Sequence, residues 1–225
     1  MKIKWYGHAA FIVTGSDGAS VITDPYTPET SGYQPIPDHP DIVVTSSLND
    51  SFHDRSDLIG GDPARINMLE VARAGGSVQC KGITFRAIES SEMYDHPEHE
   101  PDKCAMYRWE MDGISIGHMG DVGNPFTPEE YEFFRDIDIL LALAGDVPTI
   151  RLPDLKDVVD RLRPRLVIPM HFRTLRYKPR NMQWVSAFLS HFADADIDFQ
   201  SDWEVTLRRA DLPEPTRVLV LTHAL

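Results

Sequence analysis

His8, Asp24, His118, Asp121 and His171 each follow directly on a short apolar or β-branched run. The strings are Trp5-Tyr6-Gly7-His8-Ala9, Ile22-Thr23-Asp24-Pro25, Gly117-His118-Met119-Gly120-Asp121 and Ile168-Pro169-Met170-His171-Phe172. Asp50 and His53 lie in a further string, Asp41 to Asp54, behind the apolar run Ile42 to Thr45. Imidazole nitrogens and carboxylate oxygens are the donors that Zn²⁺, Mn²⁺ and Fe²⁺ accept. Side chains at the ends of neighbouring strands converge on one crevice, where an open α/β sheet binds its ligand. A metal held there lowers the pKa of a coordinated water to about 7, which makes a hydrolytic nucleophile at neutral pH.

The elements that must position these residues are legible as patterns. Ile3 to Tyr6, Ala10 to Thr14 and Ala19 to Thr23 read as strands, and Gly15-Ser16-Asp17-Gly18 as the hairpin turn between the last two. Ile42 to Thr45 is continuously apolar or β-branched, as in a strand buried on both faces. Gly82 to Ile88 and Ala105 to Glu110 are further strands, and Asp112-Gly113 is a type I′ turn leading into Ile114 to Gly117. Thr127-Pro128-Glu129-Glu130 joins a capping box to a proline at the first helical position, so a helix is expected to run to about Arg135.

Ile137 to Leu143 is a buried strand. Leu155, Val158, Val159 and Leu162 repeat at i, i+3, i+4 and i+7, a helix that ends before Pro164. Arg165 to Met170 is a strand, Met182 to Phe192 a helix, and Glu204 to Arg208 and Arg217 to Thr222 strands. Strands first, then alternating helix and strand, then strands again fit two packed mixed sheets with helices outside. With no repeat and no low-complexity linker, residues 1–225 are expected to form one domain.

In order and spacing the strings resemble the metallo-β-lactamase superfamily, and within it the group similar to ascorbate-6-phosphate lactonase. The resemblance implies an α/β fold, a four-layer αββα sandwich of two mixed sheets, and a metal-dependent hydrolase. The family's ligand loop reads H-x-H-x-D-H. The matching places here hold Leu48, Asp50, Phe52 and His53, so two donors are replaced by side chains with none. Asp121 matches the carboxylate that bridges two metals, and His171 the final histidine ligand. Asp95 occupies the place of a further histidine ligand and His96 follows it, in a stretch that also holds Glu92 and His99. That stretch reads either as a solvated acidic loop or as ligation from a shifted position. The best surviving arrangement under the resemblance is one divalent metal, zinc before manganese, on His53, Asp121, His171 and Asp50. Asp121 and Asp50 are then the catalytic carboxylates.

Other residues take blander expectations. His8 is expected to fix a loop by hydrogen bonding, Asp24 to accept backbone N–H bonds or orient a ligand, and His118 to support Asp121 from behind. Arg173 and Arg176, with Tyr177, Lys178 and Arg180, form the one local basic cluster. It reads equally as a site for a substrate phosphate or carboxylate and as a solvated loop. Three functions remain open. One is a hydrolase of a small phosphorylated lactone or ester. Another is a metal-free relative that binds a small molecule or serves in assembly. The third is a carboxylate-rich site for Mn²⁺ or Mg²⁺.

A formal net charge of −13 over 225 residues argues against nucleic acid and anionic membrane as partners. Two cysteines, Cys80 and Cys104, make no disulfide framework. With no apolar run long enough to span a bilayer and no signal-like start, a soluble cytoplasmic protein acting on a small molecule is expected, with a homo-oligomer left open.

Overall fold

Alternation along the first strands decides how this chain packs. In β1 (Lys2–Gly7), Ile3 and Trp5 face one core and Tyr6 another; in β2 (Ala10–Thr14), Phe11 and Val13 alternate in the same way with Ala10 and Ile12. β3 (Ser20–Thr23) and β4 (Ile42–Thr45) continue the pattern, so this sheet is buried on both faces, as the period of two requires. The computed structural model describes residues 1–48, 50–96 and 99–224.

β5 (Ala64–Asn67) extends this sheet beside β4, and β13 (Glu204–Thr206) closes its other edge, in the order β13-β1-β2-β3-β4-β5. β1 to β3 pair antiparallel, and β3 to β5 parallel. Among the described residues the second sheet has eight strands, β6 (Ser77–Cys80), β7 (Ile83–Ser91), β8 (Lys103–Met111), β9 (Ile114–His118), β10 (Ile139–Leu143), β11 (Leu166–Met170), β12 (Ile197–Phe199) and β14 (Arg217–Val220). Their order is β12-β14-β11-β10-β9-β8-β7-β6, antiparallel from β6 to β9 and parallel from β9 onward.

One apolar core joins the sheets, with Trp5, Phe11 and Val44 from the first and Trp109, Ile116 and Leu141 from the second. The smaller core on the far side of the first sheet gathers Tyr6, Ile22, Tyr26, Tyr33 and Tyr177. The expected sandwich of two mixed sheets is therefore the observed one.

Helices are short. α1 (Pro28–Ser31) is a single turn; α2 (Met68–Arg73) is capped by Asn67, whose side chain accepts the Glu70 N–H. α3 (Pro128–Phe133) carries the expected capping box, Thr127 bonding the Glu130 N–H and Glu130 reaching back to Thr127. α4 (Leu152–Leu162) buries Leu155, Val158 and Val159 against the main core.

The helix expected over Met182 to Phe192 is reduced to α5 (Val185–Leu189). Residues before it are drawn into extended backbone, because Gln183 N–H donates to Gly145 and Arg173 N–H donates to Gln183. β5, α2, β6 and β12 had no counterpart in the sequence patterns; β5, for one, is only half-buried and shows no alternation. No helix among the described residues is long and apolar enough to cross a membrane.

Candidate metal centre

Five strand ends deliver the donors to one cleft. His8 stands in the turn after β1, where the pairing register with β2 shifts between Trp5 and Gly7. Such an irregularity re-aims a side chain. Gly7 has φ +122, and a Cβ there would lie 2.6 Å from the Tyr33 ring, so the turn requires glycine. His8 itself has φ 51 and His171, directly behind β11, φ 53. The His171 N–H donates to the His8 carbonyl at 3.0 Å, which locks the two backbones together.

His53 comes from the loop after β4 and is buried. Its Nδ1 is 2.5 Å from Asp50 Oδ2 and 3.6 Å from Asp121 Oδ2, while His171 Nε2 is 3.3 Å from Asp121 Oδ1. Asp121 thus stands between two imidazoles, one oxygen toward each. Asp50 also accepts the Phe52 N–H, fixing its carboxylate against His53. This is the carboxylate–histidine arrangement that sets ring orientation in metal sites and leaves Nε2 free.

Asp24 and His118 lie beneath this layer. Asp24, fully buried after β3, accepts from Ser46 N–H at 2.8 Å, Ser46 Oγ at 2.7 Å and the Tyr107 hydroxyl at 3.3 Å. His118 Nδ1 accepts the Gly120 N–H, so its proton is on Nε2, which donates to the Ala9 carbonyl at 3.1 Å. Gly120 has φ +60, and a Cβ there would sit 2.1 Å from the Ala105 carbonyl, so the path from His118 to Asp121 needs glycine.

The electrostatics divide the histidines. Burial pushes His53 down, but the charges of Asp121 and Asp50 overcome it and hold the ring up at about 10. Burial lowers His8 and His171 well below the ordinary imidazole range, and like charge from neighbouring histidines adds to it. His118 falls to about 3 through burial. Burial raises Asp121 to about 7 against the pull of His53. Burial also opposes ionisation of Asp50, yet the His53 charge and hydrogen bond carry its carboxyl below the usual range.

Four buried polar atoms in this cluster form no well-aligned hydrogen bond: His8 Nδ1, His53 Nε2, His171 Nδ1 and Asp121 Oδ1, the last having only its 3.3 Å approach to His171 Nε2. Buried polar atoms are almost always paired, and a metal ion is one recognised partner for those that are not. Among the described residues, two overlapping groups have donor atoms within 4.8 Å of one another, His8–His53–His171 and Asp50–His53–Asp121. The donors present therefore fit a divalent metal, and His53 belongs to both groups.

Above them opens a cleft of about 440 Å³. Leu48, Phe52, Tyr177, Pro148 and Pro179 supply apolar lining, with the Phe52 ring 5.2 Å from His8. Glu92, His96 and His99 line it as well, His99 Nε2 lying 3.1 Å from Glu92 Oε2.

Other expected residues lie elsewhere. Asp95 is turned to solvent, where Arg151 donates to it at 3.0 Å. Arg173 lies over the Trp184 ring at 4.9 Å, and Arg176 is exposed; neither lines the cleft. His8, expected to fix a loop, is the residue that sequence reasoning undervalued. Its backbone does fix the loop, but its ring faces the other two histidines.

Comparison with known proteins identifies the family. A β-lactamase superfamily domain matches residues 2–171. A UPF0173 metal-dependent hydrolase of Pyrobaculum arsenaticum is 31% identical over 195 residues, 77% of this chain and 85% of the relative. One from Methanoculleus marisnigri is 25% identical over 201 residues, 81% of this chain and 86% of the relative. Among solved structures, a candidate Zn-dependent hydrolase of the metallo-β-lactamase superfamily from Thermotoga maritima superposes with a TM-score of 0.75 at 28% identity, covering 98% of this chain and 97% of that one. The chain belongs to the metallo-β-lactamase superfamily, among the UPF0173 metal-dependent hydrolases.

Proposed function

We propose that this chain is a metal-dependent hydrolase of a small ester or lactone that carries no phosphate. The observation that carries the reading is the set of buried, unpartnered donor atoms at the floor of the cleft. His53 Nε2, Asp121 Oδ1 and His171 would hold the ion, with Asp50 orienting His53 from its Nδ1 side. A divalent ion in this place supplies Lewis acidity and makes a water nucleophile available at neutral pH.

The chain's own residues supply the rest. Asp121, with one oxygen toward His53 and the other toward His171, is the carboxylate placed to take the proton of the attacking water and return it to the leaving oxygen. Leu48, Phe52 and Tyr177 form an apolar wall that fits an uncharged acyl portion and keeps bulk water from it.

The side-chain lining disfavours a phosphate. Among the described lining residues there is no Lys or Arg, whereas Asp50, Glu92, Asp102 and Asp121 are all present. A phosphoryl group would meet like charge with no fork of donors to hold it.

The test is a hydrolysis panel on protein loaded with Zn²⁺ or Mn²⁺, pairing uncharged lactones and aryl esters with their phosphorylated counterparts. Uncharged members are expected to have kcat/KM at least about tenfold higher, roughly 1.4 kcal/mol of discrimination. A preference for the phosphorylated partners would overturn the substrate reading. Failure of the protein to take up either metal would overturn the hydrolase reading and favour a metal-free binding module.

A further inference from the structure

The family's ligand loop has lost two donors, at Leu48 and Phe52, yet the site still presents three imidazoles. The third comes from a different part of the chain. The His8 ring centroid is 3.8 Å from that of His171 and 4.8 Å from that of His53, and one ring nitrogen of each lies within 4.8 Å of the others. All three rings are buried, with side chains from 1% to 3% exposed as residues, and each has a nitrogen without a partner. His53 has its Nδ1 committed to Asp50, so its free atom is Nε2.

We infer that His8 is a metal ligand, completing a three-histidine site with His53 and His171 that replaces the imidazole lost at Leu48. The inference rests on the metal-dependent reading above and adds to it a ligand from the turn between β1 and β2.

The backbone supports the assignment independently of the rings. His8 and His171 are both left-handed, a conformation that non-glycine residues seldom adopt. They are also tied to each other by the His171 N–H to His8 carbonyl bond. The Trp5 indole N–H donates to the same carbonyl at 3.0 Å, which anchors the turn to the main core. Strained backbone persists where surrounding structure holds it, and clusters where side chains must be aimed. Here the strain aims two imidazoles at the same point. Loop fixing accounts for the His8 carbonyl; it does not account for a buried Nδ1 with nothing to bond.

Three imidazoles and an open position are a workable catalytic set. Nitrogens sharing a zinc ion lie roughly 3.3 Å apart at bond lengths of about 2.0 Å.

The experiment uses the full chain loaded with Co²⁺. X-ray absorption counts the imidazoles around the ion, and competition with a chromophoric chelator gives its dissociation constant. The wild type is expected to show three imidazoles. His8→Asn suits the left-handed backbone while its short side chain falls short of the ion, and it keeps both carbonyl bonds of the turn. This variant is expected to show two imidazoles and an affinity weaker by roughly 10–100-fold. His8→Gln serves as a second variant should the first fail to give an apo melting profile like that of the wild type.

Two imidazoles in the wild type, or an affinity unchanged within twofold in a folded variant, would overturn the assignment while leaving the metal-dependent reading intact. A wild-type chain that binds no Co²⁺ at all would overturn both.

Discussion

Replacing His53 with alanine is expected to abolish metal uptake, with a dissociation constant raised more than about 100-fold. Outer partners of metal ligands already cost roughly 10–100-fold when removed, and His53 is nearer the ion than that. It is also the one residue in both donor groups, facing Asp50 and Asp121 from Nδ1 and the other histidines from Nε2. Its loss leaves two carboxylates and two imidazoles with nothing between them. Metal content after dialysis, measured by plasma mass spectrometry on chain purified without chelator, checks the outcome. A variant that keeps the wild-type content would place the ion elsewhere. The comparison separates ligand loss from unfolding if the apo variant retains its β-sheet circular dichroism.

The second large effect concerns stability. Asp24→Ala removes the acceptor for Ser46 N–H, Ser46 Oγ and the Tyr107 hydroxyl in one step, in a place with no exposure. Each unsatisfied buried donor costs about 1–3 kcal/mol, so a loss of about 3 kcal/mol or more is expected in urea unfolding of the metal-free chain. Asp24→Asn keeps an acceptor oxygen and is expected to lose less than half as much. A loss under about 1 kcal/mol for the alanine variant would mean that the three donors find other partners.

The same residue sets a pH slope. Burial raises its carboxyl from 3.8 to about 7 in the folded chain. The contribution to stability is then full below the unfolded value and is lost as pH rises through about 7. The wild type minus Asp24→Asn difference should show that decline; a difference that grows with pH would reverse the sign.

Much of the fold was legible because local chemistry and tertiary packing agree there. Thr127 and Glu130 form the capping box that their spacing predicts, and Ile42 to Thr45 is a strand with all four residues buried. Where packing overrides pattern, the sequence is silent. Met182 to Trp184 look helical in composition, but the Gly145 carbonyl and the Arg173 N–H claim the backbone of Gln183. The short strands at the sheet edges are only half-buried or exposed, and three or four residues of weak hydrophobicity give little pattern to read.

The site divides along similar lines. His53, Asp121 and His171 stand behind apolar strands, and their sequence contexts place them together. Asp95 lies in a stretch rich in donors, and only the structure reveals that Arg151, 56 residues away, draws it into solvent. His8 is the converse case. Its ring direction follows from a register shift and a left-handed turn, neither of which leaves a distinctive residue pattern beyond Gly7. The basic residues after His171 read equally as anion donors and as a solvated loop from sequence, and the chain turns Arg173 onto Trp184.

The bond from His171 N–H to the His8 carbonyl spans almost the whole length of the domain match. Contacts of such high sequence separation form late, because the entropy of closing the loop must be met first. A nascent chain that has emerged only as far as β10 therefore has the first histidine but not the last, and holds no finished pocket. Ion capture becomes a report that β11 has docked beside the turn after β1 rather than an early nucleating event. By mass action, an ion at 100 times its dissociation constant then deepens the folded basin by about 2.7 kcal/mol, after topology has been decided.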